Sequence, residues 1–174
     1  MAEPNVSMGD LEVNGSLFVN GVEIGASLAA AGGLAALAVA NMMGATSAST
    51  GCIGGGSGTT ILKVTAQSSP NLTVQVAAGT CFVAGVLAGD LDGVASLSGF
   101  AAPAANPRID IVQISNAGVI SRKAGTENAS PTAPTVDAGN MVLAQVYNRV
   151  GQTSIKNSSD GSNGYITDVR TWIA

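Results

Sequence analysis

Apolar and polar positions alternate from the start of the chain. Gly9-Asp10-Leu11-Glu12-Val13-Asn14 is followed by Gly15-Ser16-Leu17-Phe18-Val19-Asn20, and Gly21-Val22-Glu23-Ile24 begins a third, degraded copy. Leu11, Val13, Leu17 and Val19 fall on alternate positions, which places them on one face of extended backbone. The Asn-Gly pairs at 14–15 and 20–21 are strong signals for a tight turn, because both residue types tolerate positive φ. The pattern predicts very short strands separated by turns. Strands this short cannot bury an apolar face alone, so pairing between chains is the expected solution. A single hairpin capping the later domain is the alternative.

From about residue 26 the pattern changes. The stretch 26–43 is rich in Ala and Leu, and Leu34, Leu37 and Asn41 carry the a-d-a spacing of a heptad. A short, soluble, self-associating helix over 34–43 is expected. Gly32-Gly33 and the lack of flanking Lys or Arg argue against a membrane span or a signal peptide. Residues 44–60 are dominated by Gly, Ser and Thr and read as a linker. No Lys follows the glycines at the spacing a phosphate loop needs.

Strand signals return at Thr59. β-rich runs occupy 61–64, 72–76, 81–87, 94–97, 109–114, 119–122, 141–147 and 165–173, most of them bounded by Gly, Pro, Asn or Asp. Asn116-Ala117-Gly118 reads as a hairpin turn. Pro131 and Pro134 make 128–137 an extended crossover along a sheet edge. The expected fold is all-β, a small antiparallel sandwich or barrel head carrying a short-strand arm and one Ala-rich helix. The expected divisions are 1–25 for the arm, 26–58 for helix and linker, and 59–174 for the head.

Composition narrows the function. Only 10% of the 174 residues are charged, 3% are aromatic, and 23 are Gly. Small side chains bury little area each, at about 25 cal/mol per Å², so a surface shared with further copies would help offset ordering entropy. The chain has no His, which removes the commonest general base and metal ligand. Cys52 and Cys81 fit no metal spacing; a disulfide and two buried thiols are both open. No catalytic, cofactor or metal site is expected, and Asp90-Leu91-Asp92-Gly93 reads as a solvated turn rather than a calcium loop.

The net charge of −4 resides entirely in the first third, because every basic residue lies at or after Lys63. An acidic arm suits docking to a basic protein partner, and no basic stripe suits nucleic acid. Arg108, Asp110, Asp168 and Arg170 are expected to form exposed cross-strand ion pairs worth less than about 1 kcal/mol each. Tyr147, Tyr165 and Trp172 are the candidate receptor contacts, with core or interface packing as the competing role.

The segment from Asn106 to Ile155 resembles a module of tailed-bacteriophage tail-fibre and baseplate proteins. The likeness lies in Pro107-Arg108-Ile109-Asp110, the spaced Ala129-Ser130-Pro131 and Ala133-Pro134, and Leu143-Ala144-Gln145-Val146. Residues 71–85 and the opening repeats are similar to neighbouring parts of such fibres. The resemblance implies a homotrimer on the virion surface, a short tail fibre or baseplate appendage, with other virion proteins as partners of the arm. A capsid decoration protein and a receptor module for host-surface glycans are the alternatives. The inter-subunit positions expected are Leu11, Val13, Leu17, Val19, Leu34, Leu37 and Asn41.

Overall fold

The computed structural model describes residues 17–19 and 22–24, and residues 49–173 apart from 55, 57 and 92. The chain divides between residues 44 and 45 into two units. In the first, β1 (Leu17–Val19) pairs antiparallel with β2 (Val22–Ile24), with Val19 opposite Val22. This is the pairing that the intervening Asn20-Gly21 signal calls for. Leu17 and Val19 therefore lie on a strand. Leu11, Val13, Leu34, Leu37, Asn41 and the expected helix lie outside the described residues.

The second unit is built of strands and loops, with no helix among the described residues. Its strands are β3 (Gly51–Cys52), β4 (Val64–Ala66), β5 (Val74–Val76), β6 (Gly79–Val83), β7 (Val86–Leu91), β8 (Val94–Leu97), β9 (Arg108–Ser115), β10 (Ile120–Lys123), β11 (Asn140–Asn148), β12 (Ile155–Lys156) and β13 (Gly164–Asp168). They form two three-stranded sheets, β3-β6-β7 and β4-β5-β8, and a five-stranded sheet, β10-β9-β11-β13-β12. β12 and β13 run parallel, so the large sheet is mixed rather than purely antiparallel.

One core joins all three sheets: Cys52, Leu62, Val64, Val74, Val76, Cys81, Val83, Phe100, Val112, Ile114, Leu143, Val146 and Ile155 are among its buried members. Strict alternation feeds it from β5, where Val74 and Val76 are buried and Gln75 is exposed. On β11 the pairing register slips between Val142 and Ala144. That bulge lets the consecutive Leu143 and Ala144 both be buried.

Several strands depart from the sequence pattern. The run 61–64 is strand only at Val64: Ile61 and Leu62 form a turn, in which Leu62 adopts φ 51° and its side chain is fully buried in the core. The run 81–87 is two strands, β6 and β7, broken by Ala84-Gly85 with φ 51° and 76°. An unbroken apolar run hid that turn. Gly51-Cys52, read as linker, forms β3, which sits between β6 and the extended segment 171–173. The final run is a strand only to Asp168, although Val169 still donates to Leu143 O.

The proline-bearing segment is extended, as expected, but it crosses a sheet face rather than following an edge. Asn128 N donates to Pro107 O, and Asn116 N donates to Gly139 O, so the segment runs back alongside β9. Close to the Gly139 end, the buried Gln113 of β9 donates to the Asp137 carboxylate and accepts from Asp137 N. Gln113 and Ile111 point away from the face that carries Val112 and Ile114. The strap covers that second face, which accounts for five consecutive buried residues, 110–114, in one strand.

Candidate functional site

Tyr147 on β11 and Tyr165 on β13 are directly opposed across the sheet. Their rings stack with centroids 5.2 Å apart and planes 21° from parallel. Just past the end of β11, two residues after Tyr147, Arg149 lays its guanidinium over both rings, 5.1 and 5.8 Å from the centroids. Nε of Arg149 donates to Asn163 O at 3.0 Å and Nη2 to Ser159 Oγ at 3.1 Å.

The turn that receives Arg149 is organised by Asp160. Its Oδ1 accepts from the backbone N–H groups of Asn163 and Ser162, and its Oδ2 from the Asn163 side chain. These bonds, the Asn163 backbone first, pull the carboxyl down to about 2. Beside the stack opens a surface cleft of about 460 Å³, lined by Pro107, Tyr147, Arg149, Val150, Gly161 and Ser162. Val150 is 49% exposed, so the cleft has an apolar lip next to an aromatic wall and a guanidinium. Such a surface offers stacking and hydrogen-bond donation. None of its lining residues is a carboxylate, cysteine or lysine.

Trp172 is not part of this surface. It packs on Arg170, 4.9 Å from guanidinium to ring centroid, and bridges to Cys52. The pairing of Val169 with Leu143 and of Thr171 with Met141 puts it past the opposite end of β11 from Tyr147. Of the three expected contacts, the structure brings two together. Arg149 is not among the residues the sequence singles out, although its i+2 spacing from Tyr147, at the end of a strand, is the signal that would place it on the same side.

The four charged residues do pair, but not as expected. Arg108–Asp110 and Asp168–Arg170 each join residues two apart on one segment, and the cross-strand partner of Asp110 is Arg122 of β10. The pairs are interior fasteners rather than exposed rungs. Asp110 is fully buried. Its carboxylate takes Arg108 Nε at 2.9 Å, Arg122 Nη1 at 3.2 Å and the Gly125 N–H at 3.0 Å. Arg108 also donates to Ala101 O and Arg122 to Gly99 O, so two strands, the strap and the 99–101 segment meet at one carboxylate. A side chain at Gly125 would stand 2.0 Å from Ile109 O, so only Gly fits there. Glu127 completes the junction by accepting from the N–H groups of Ala105, Ala104 and Asn106, which hold its carboxyl below the usual range.

A second fastener lies at the far end of the sheet. The buried Arg170 pairs with Asp168 at 2.6 Å and donates to Thr59 O and Ile61 O. The Arg170 hydrogen bond is the main cause that holds the Asp168 carboxyl low. Among the described residues, no three His, Cys, Asp or Glu side chains group to hold a metal. The chain matches no family model, and no curated protein or solved structure matches it.

Proposed function

We propose that the chain is a structural subunit of a tailed-bacteriophage virion, a homotrimeric short tail fibre or baseplate appendage that acts by assembly and attachment and has no catalytic role. The observation that carries this reading is that the residues of the resemblance are the fasteners of the head. Pro107-Arg108-Ile109-Asp110 supplies the buried carboxylate and one of its guanidiniums, the strap that carries Pro131 and Pro134 is tied to Gln113 of β9 through Asp137, and Leu143-Ala144 sits at the bulge of β11. A motif whose parts hold strands to one another suits a building module better than a reaction centre. The small-residue composition and low charge favour burial of further surface between copies.

The test is the position of the chain in an imaged particle, with a label fused to the head. A few copies at the tail support the reading, and dense coverage of the capsid supports the decoration-protein alternative instead. Light scattering of the purified chain is expected to give three times the chain mass, and a stable monomer would remove the trimer.

The Tyr147–Tyr165–Arg149 surface favours a second reading, contact with a host-surface glycan. Glycan binding that is lost in Tyr147→Ala and kept in Trp172→Ala would support it. Equal loss in both variants would count against this cleft.

A further inference from the structure

Cys52 on β3 and Cys81 on β6 are directly opposed, fully buried and unbonded to each other. Directly opposed residues of antiparallel strands point to the same face, and these two share the core. The backbone of Cys52 is committed on its other side. Its N–H donates to Thr171 O at 2.8 Å, and its carbonyl accepts from Ile173 N at 3.1 Å. Cys52 therefore exchanges no backbone hydrogen bonds with Cys81, while the next pair does bond, Ile53 N to Thr80 O at 3.1 Å. This makes 52/81 a non-hydrogen-bonded pair, the kind in which Cα atoms come to about 4.5 Å and side chains are closest. That separation lies inside the range of about 4.4–6.8 Å that a disulfide spans.

We propose that Cys52 and Cys81 form an oxidation site, a dithiol that closes to an intrachain disulfide and staples β3 to β6. Two S–H bonds break and one S–S bond forms, and the two protons and two electrons pass to a two-electron oxidant such as a diazene. Burial pushes the thiols up to about 11 for Cys52 and about 12 for Cys81. The thiolate needed for attack is scarce in the closed head, so closure proceeds through local opening of the two-residue β3. The bond encloses the loop 53–80, which includes the left-handed Leu62 and strands β4 and β5. Closing a loop of that length raises the thermal midpoint by on the order of 10 °C. The site stands on backbone geometry and is independent of the proposed virion role.

The test uses the full chain, purified reduced and then treated with diamide, which becomes its hydrazine. The expected result has four parts: both thiols disappear together, the mass falls by two hydrogens, the chain still runs singly on a non-reducing gel, and the midpoint rises. Dithiothreitol restores the thiols, the mass and the original midpoint. Cys52→Ala and Cys81→Ala are each expected to show no diamide-dependent rise. Because the wild-type chain is compared with itself, a variant that folds poorly does not blunt the comparison. The proposal is overturned by folded chain that keeps two thiols through prolonged diamide treatment, by cross-links between chains, or by thiol loss without a rise in midpoint.

Discussion

A carboxylate with no access to water must have its charge balanced by neighbouring donors, and Asp110 has three of them. Arg108 and Arg122 remain 14% and 20% exposed, so they could recover some hydration if the carboxylate were neutralised. Asp110→Asn is therefore expected to cost about 3 kcal/mol, the low end for breaking a buried pair, read as a lower denaturant midpoint with an unchanged slope. Asp160 gives a different signature because its carboxyl is lowered by bonds within an exposed turn. Its contribution is full above the unfolded value near 3.9 and is lost as pH falls toward about 2. Thermal midpoints measured from pH 5 to pH 2 should fall more gently in Asp160→Asn than in the parent.

Turns and straps set the element scale. Ala84 holds φ 51° in the two-residue β6–β7 turn, a conformation that costs an L-residue roughly 1 kcal/mol and costs Gly almost nothing. Ala84→Gly keeps the backbone N–H that donates to Thr50 and is expected to raise stability by about 0.5 kcal/mol in urea unfolding, after the larger unfolded-state entropy of Gly is subtracted. The strap depends on Asp137, which binds Gln113 and, at 2.6 Å, Lys123. Asp137→Ala frees both donors. Limited proteolysis should then cut between residues 124 and 137 several-fold faster, while cleavage in the 159–163 turn is unchanged.

At the scale of the whole molecule, the sequence was most legible where local signals agreed with tertiary demand. The β9–turn–β10 hairpin follows from Asn116-Ala117-Gly118, and Gly118 takes the positive φ of 78° that the turn requires. The central part of β11 also follows from its pattern. Legibility failed where distant contacts decide the local structure. Leu62 bends out of a strand to reach the core, and Gly51-Cys52 becomes a strand only because residues 171–173 and β6 supply partners on both sides. Two of the three residues of the candidate surface are legible in the sequence, Tyr147 and Tyr165, and Arg149 is not. Trp172 was grouped with them on residue type alone, a criterion blind to its place at the other end of β11.

The placement of β3 has a mechanical meaning. It runs parallel to 171–173 and is tied to it by the Cys52–Thr171 and Ile173–Cys52 hydrogen bonds. Tension drawn on the head from residue 49 at one end and residue 173 at the other pulls these parallel segments along their own length. The bonds are then loaded together, in shear, and must fail as a set. A peeling load at the 116–118 hairpin would break its bonds one after another. The head is thus built to bear traction along the path of its own backbone.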